Sequence, residues 1–143
     1  MTFKICLLAI ISFISSSSAI TIELGSIQSV SVNGTLLCND QPAKNVKVKL
    51  YEDEALLDVL LDERFTTESG FFEMSGSKTE VTTIDPKVNI YHKCNYDGLC
   101  VRKISIAIPT EYVTNGEKPA KTYDIGEINL ASKFSGQSTD CFN

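Results

Sequence analysis

From Val46 to Tyr51 every second residue is apolar, with Val46, Val48 and Leu50 alternating with Lys47, Lys49 and Tyr51. A period of two puts the first three on one face of an extended strand, toward a core, and the others on the face toward water. The same period returns in Val30 and Val32 against Ser29, Ser31 and Asn33, and again in Val88-Asn89-Ile90-Tyr91-His92. Ile104, Ile106 and Ile108 repeat it in the run 101–108. Short alternating runs have one apolar face to bury, which needs a second layer over the sheet.

The breaks between runs are turn chemistry. Asn39-Asp40-Gln41-Pro42 stops the first run, and Asp97-Gly98 between two alternating runs signals a hairpin. Pro86 starts one strand and Pro109 ends another, because proline has no N–H to give a ladder. Phe65-Thr66-Thr67 and Phe71 to Met74 read as a hairpin about Glu68-Ser69-Gly70, with Ser75-Gly76-Ser77 turning the chain again. Val81 to Ile84 is expected to add a short strand, 110–121 a polar excursion, and Ile125, Ile128, Leu130 and Phe134 a last strand. The stretch EDEALLDVLLDE, 52–63, has helix-like leucine spacing but reads better as a loop between strands. Its carboxylates lack the spacing of a calcium loop and suit a solvated acidic face. Seven or eight strands separated by turns predict an all-β, antiparallel β-sandwich.

Residues 1–19 carry one lysine, Lys4, an apolar run from Ile5 to Ile14 and a small-residue exit ending at Ala19. That is the layout of a signal peptide, the run being half the roughly twenty residues a spanning helix needs. Cleavage after Ala19, with Ser17 at minus three, leaves one domain over residues 20–143 that is expected to be secreted and extracellular, with no transmembrane segment. Loss of Lys4 takes the formal charge from -5 to -6. An acidic chain without a basic cluster has no footprint for nucleic acid, and a lipid partner would need a pocket or a local basic patch.

Four cysteines remain, Cys38, Cys94, Cys100 and Cys141, an even number that reads as two disulfides in an oxidising compartment. Asn33-Gly34-Thr35 is an acceptor sequon, so Asn33 is a glycosylation candidate that should face solvent. The single histidine, His92, lies near Cys94 and Cys100, but a zinc site needs about four ligands and free thiols. A cysteine nucleophile fails on the same ground. No GxSxG elbow and no phosphate-cradling loop is present. The residues therefore nominate no catalytic group, metal or cofactor, and His92 reads as a strand-end histidine hydrogen-bonded near the disulfides.

The segments VNGTLLCNDQPAKNVKVKLYE, TTESGFFEMSGS, TTIDPKVNIYHKCN, KISIAIPTEYV, TYDIGEINL and STDCF, in that order, resemble the nematode transthyretin-like family of secreted proteins. The likeness runs from about Val30 to Cys141. It implies a transthyretin-type sandwich exported from the cell, and a role in extracellular bridging, carriage of an apolar ligand or signalling. The related hydroxyisourate hydrolases carry a Tyr-Arg-Gly-Ser motif and several histidines, which this sequence lacks. The leading expectation is a non-catalytic module engaging an extracellular protein or lipid at the cell surface, with loop 112–118 as its contact. The alternative is a carrier holding a small apolar ligand in an internal or intersubunit cavity. Two disulfide connectivities stay open: Cys38 with Cys94 and Cys100 with Cys141, which ties long loops and is favoured, or Cys94 with Cys100 and Cys38 with Cys141.

Overall fold

Each alternating run of the sequence becomes a strand. The computed structural model describes residues 20, 22 and 24–143; the expected export segment 1–19, with Cys6, lies outside the described residues. In chain order the strands are β1 (Ser26–Cys38), β2 (Gln41–Pro42), β3 (Lys47–Glu52), β4 (Val59–Phe65) and β5 (Phe71–Glu80). They continue with β6 (Pro86–His92), β7 (Val101–Ala107), β8 (Thr114–Asn115), β9 (Thr122–Asn129) and β10 (Ser138–Asp140), with one 3-10 turn at Thr110–Tyr112. Three of these ten, β2, β8 and β10, are two or three residues long, so seven substantial strands carry the fold.

Two sheets face each other. In one, β1 pairs antiparallel with β5 on one side and parallel with β9 on the other, while β2 and β8 pair with its two ends. The second runs β10-β7-β6-β3-β4 and is antiparallel throughout. Val30, Val32 and Leu36 of β1 meet Val48 and Leu50 of β3 and Val88 and Ile90 of β6, all without exposed surface. Phe72, Met74 and Ile104 complete the layer. Each such side chain contributes about 1.5–3 kcal/mol by leaving water, which is why the alternation sets the fold.

The β1–β2 hairpin turns on Asn39 and Asp40, both with positive φ (52° and 63°), the backbone of the tight turn that matches strand twist. Asparagine and aspartate tolerate that conformation better than most residues. At the opposite end of the sandwich the Gln28 side chain is buried; its Nε2 donates to Thr82 O at 2.7 Å and its Oε1 accepts from Ile84 N at 3.1 Å.

Several expectations need correction. Val81 to Ile84 forms no strand, because the Gln28 amide supplies partners that a ladder would otherwise give. The turn at Glu68-Ser69-Gly70 does not close a hairpin: β4 pairs with β3 and β5 with β1, so the chain crosses between sheets there. Gly70 has φ +78° and its missing Cβ leaves room for the Leu36 carbonyl, whose neighbouring N–H bonds back to Gly70 O at 2.8 Å. Ser75-Gly76-Ser77 is not a turn but mid-strand, opposite Val30. A Cβ at Gly76 would stand 2.6 Å from Leu61 Cβ of the facing sheet, so the glycine serves close sheet approach. The acidic stretch is a loop only to residue 58, after which Val59 opens β4. The final pairing run stops at Asn129, short of Phe134, and β10 follows it.

Candidate functional site

Both disulfides gather at one end of the sandwich. Cys38 at the end of β1 is bonded to Cys94 just after β6, joining the two sheets, with Cα atoms 5.8 Å apart. Cys100 at the start of β7 is bonded to Cys141, which holds β10 along the edge of β7. The β6–β7 hairpin about Asp97-Gly98 forms as the sequence implies, with His92 opposite Arg102.

Beside Cys38–Cys94 lies a cleft of about 450 Å³. Its wall is the 43–46 turn, the end of β6, Val101 and Leu130. Hydrogen bonds fix these walls. Thr66, 3% exposed, donates from Oγ1 to Ala43 O at 2.6 Å and accepts there from Val46 N at 2.9 Å. Its backbone exchanges bonds with Val46 O (2.9 Å) and Asn45 N (3.0 Å). Ala43 N donates to Leu36 O at 2.8 Å and Leu130 N to Leu37 O at 2.7 Å, so two segments of the wall hang directly on β1.

Ala43, Val46, Tyr91, Val101 and Leu130 give the cleft its apolar surface, and three lysines, Lys44, Lys47 and Lys93, stand among the lining residues. Among the described residues no aspartate or glutamate lines it, in a chain whose formal charge is -5. Lys93 Nζ donates to Gly98 O at 3.0 Å and Lys47 Nζ to Asn143 Oδ1 at 3.1 Å and its main-chain oxygen at 3.4 Å. Lys44 reaches Glu68 at 3.4 Å in a pair exposed on both sides, a contact that solvent screens.

His92 lines the same cleft and is 4% exposed. Its Nδ1 accepts a hydrogen bond from Cys94 N at 3.1 Å, which assigns the proton of the neutral ring to Nε2. That Nε2 is buried with no partner. Burial, and next the positive Arg102, hold the imidazole pKa below its ordinary 6.5. The ring is therefore uncharged at neutral pH and, among the described residues, hydrogen-bonds to neither a carboxylate nor a hydroxyl.

The sequence readings of Cys94 and Cys100 as companions of His92 separate here: the two cysteines belong to different disulfides. Asn33 sits mid-strand in β1, half-buried on the face away from the core, between Glu73 of β5 and Asp124 of β9. The expected contact loop 112–118 is partly tied down, since Thr114 and Asn115 pair with β1 and the Tyr112 ring packs at a tilt of 57° against Tyr123, centroids 4.8 Å apart. Sequence reasoning missed Lys44, Lys47 and Lys93 as a group; the local run Lys44-Asn45-Val46-Lys47 was the one available signal.

A family model described as the transthyretin-like family matches residues 33–109, which span β1 to the end of β7. The chain belongs to the transthyretin-like family. Transthyretin-like protein 5 of Caenorhabditis elegans is 43% identical to it over 141 residues, covering 96% of this chain and 99% of that one. Transthyretin-like protein 33 of the same nematode is 44% identical over 140 residues, covering 95% and 97%. Transthyretin-like protein 1 is 36% identical over 140 residues, covering 90% and 89%. Among solved structures a 9R-lipoxygenase from Cyanothece aligns with 72% of this transthyretin-like chain and 16% of its own, at 16% identity and a TM-score of 0.42, too low to bear on the fold or the site.

Proposed function

We propose that this transthyretin-like chain is an exported, non-catalytic binding module that engages a protein or lipid at the cell surface through the cleft beside Cys38–Cys94. The observation that carries the reading is the cleft itself, about 450 Å³, within the usual ~300–1,000 Å³ of small-ligand sites, and fixed in shape by Thr66 and a disulfide. A preformed site loses little conformational freedom on binding. The disulfide framework and the signal-like start of the sequence support export, and Asn33 on the outer sheet face supports a glycan there.

A carrier that encloses its ligand between the sheets fits less well. Val30, Val32, Leu36, Val48, Leu50 and Ile90 fill that space and expose no surface, so the packed core leaves no room between the sheets at their level.

Mass spectrometry of protein secreted from a eukaryotic host tests export: the denatured mass is expected to show cleavage after Ala19, a glycan on Asn33 and two disulfides. Labelled protein is then incubated with cells. Binding that is lost when Val101→Trp fills the cleft supports the reading; retention of the leader, or cell binding indifferent to Val101→Trp, overturns it.

A further inference from the structure

Resting on that reading, we propose the ligand class of the cleft: an anionic amphiphile, a carboxylate on an apolar body, with its charged head among Lys44, Lys47 and Lys93 and its body against Val46, Tyr91, Val101 and Leu130.

Three observations converge on this chemistry. First, the charge of the cleft runs against the charge of the chain. Among the described residues three lysines and no carboxylate side chain line it, whereas the chain as a whole is acidic. A neighbouring cavity of about 530 Å³ at the other end of β6 makes the contrast: Asp53 and Asp85 line it with Lys87, and two ion-pair contacts from Lys87, to Asp53 at 3.2 Å and Asp58 at 2.8 Å, use up that cation. Of the three cleft lysines only Lys44 has an acidic side-chain partner among the described residues, and that pair is exposed.

Second, the lining is divided by chemistry. The lysines are surface side chains on the 43–47 segment and after β6, while Val46, Tyr91, Val101 and Leu130 and the Cys38–Cys94 bridge supply apolar wall. A purely inorganic anion would leave that wall wet, and a neutral hydrocarbon would add nothing to the lysines beyond their bonds to Glu68, Asn143 and Gly98. A molecule with both parts satisfies both.

Third, His92 adds no competing charge. The ring is buried and neutral, so the inner part of the cleft offers no positive charge to compete with the mouth. Its Nε2–H, unpartnered among the described residues, is buried out of reach of the cleft surface and offers a ligand no donor. Among the described residues the only accessible charged side chains on the lining are the lysines, so the anion stays with them and the body packs on the apolar wall.

The test is calorimetric titration of the full secreted protein with decanoate and with decyltrimethylammonium, both kept below their micellar concentrations. The two probes share a tail and differ in the sign of the head. Decanoate is expected to bind about tenfold more tightly, a preference of the size that three partly exposed lysines supply. A variant carrying Lys44→Gln, Lys47→Gln and Lys93→Gln, all surface changes that spare the fold, is expected to lose that preference, and Val101→Trp to abolish both interactions. Equal affinity for the two probes, no binding of decanoate, or a preference that survives the three glutamines would overturn the proposal. So would sedimentation with phosphatidylglycerol vesicles in the absence of decanoate binding, since the anion would then belong to a membrane and not to the cleft.

The two readings fail separately. Cell binding abolished by Val101→Trp without decanoate binding keeps the module and removes this ligand class. Decanoate binding without any cell binding keeps the cleft and removes the surface role.

Discussion

Asn39 and Asn95 hold each other's side-chain amides, the Nδ2 of each donating to the Oδ1 of the other at 2.9 Å. One belongs to the β1–β2 turn of the first sheet and the other follows β6 of the second, each adjacent in sequence to a cysteine of the Cys38–Cys94 bridge. Both have positive φ, 52° and 51°, so glycine can replace either without backbone strain. A double-mutant cycle of Asn39→Gly and Asn95→Gly in urea is expected to give a coupling of about 0.5–1 kcal/mol, the low range for an exposed hydrogen-bonded pair. Additive losses would show that the pair contributes nothing beyond its two turns.

The disulfides separate stability from site shape. Replacing Cys38 and Cys94 together by serine, or Cys100 and Cys141, is expected to cost about 2–5 kcal/mol in either case, because the bridged spans of 56 and 41 residues differ little in closure entropy. Only the first pair borders the cleft wall at Ala43 and Val46. Denaturation with and without decanoate should therefore show ligand stabilisation surviving loss of Cys100–Cys141 and vanishing with loss of Cys38–Cys94.

Thr66→Val keeps the shape of a buried side chain and removes its hydroxyl. Ala43 O and Val46 N then both lose a partner, and the expected cost is about 1–3 kcal/mol by thermal unfolding. Thr66→Ser, which keeps the hydroxyl, is expected to recover most of that loss. Equal destabilisation by both variants would show that the methyl group contributes as much as the hydroxyl, and no loss in Thr66→Val would show that the two hydrogen bonds contribute nothing net.

His92 gives the fold a pH response of definite sign. Its folded pKa lies below the ordinary 6.5, so between the two values the unfolded chain binds the proton and the folded chain does not. The histidine's contribution is complete above pH 6.5 and is lost as pH falls through the folded pKa. His92→Gln is expected to flatten the stability profile in that window relative to the parent, read as unfolding midpoints across a pH series. A profile unchanged by the substitution would mean that the ring is solvated in the native state.

Much of this was legible in the chain. The strands announce themselves because burial acts on every second residue, so Val48, Leu50, Val88 and Ile90 carry a local signature of a global fact. Gly76 was misread because its meaning lies in Leu61 across the sandwich, and nothing near residue 76 encodes that approach. The crossover at Gly70 was misread as a hairpin for a related reason: a tight turn looks the same locally whether the next strand joins the same sheet or the facing one. The cleft was hidden further still, since Lys93 reaches the neighbourhood of Lys44 and Lys47 only after β3 and β6 have paired.

β1 sits at the middle of its sheet and one of its two main partners comes from far along the chain: Thr122 meets Ser31 across 91 residues. During synthesis from the N-terminus, β1 is among the first strands made, and its central position is completed only when β9 arrives. Until then one side of β1 presents unpaired backbone N–H and C=O groups, the kind of edge on which chains stick to one another. A sheet whose central strand waits on so distant a partner is expected to fold more slowly than one built from neighbouring hairpins.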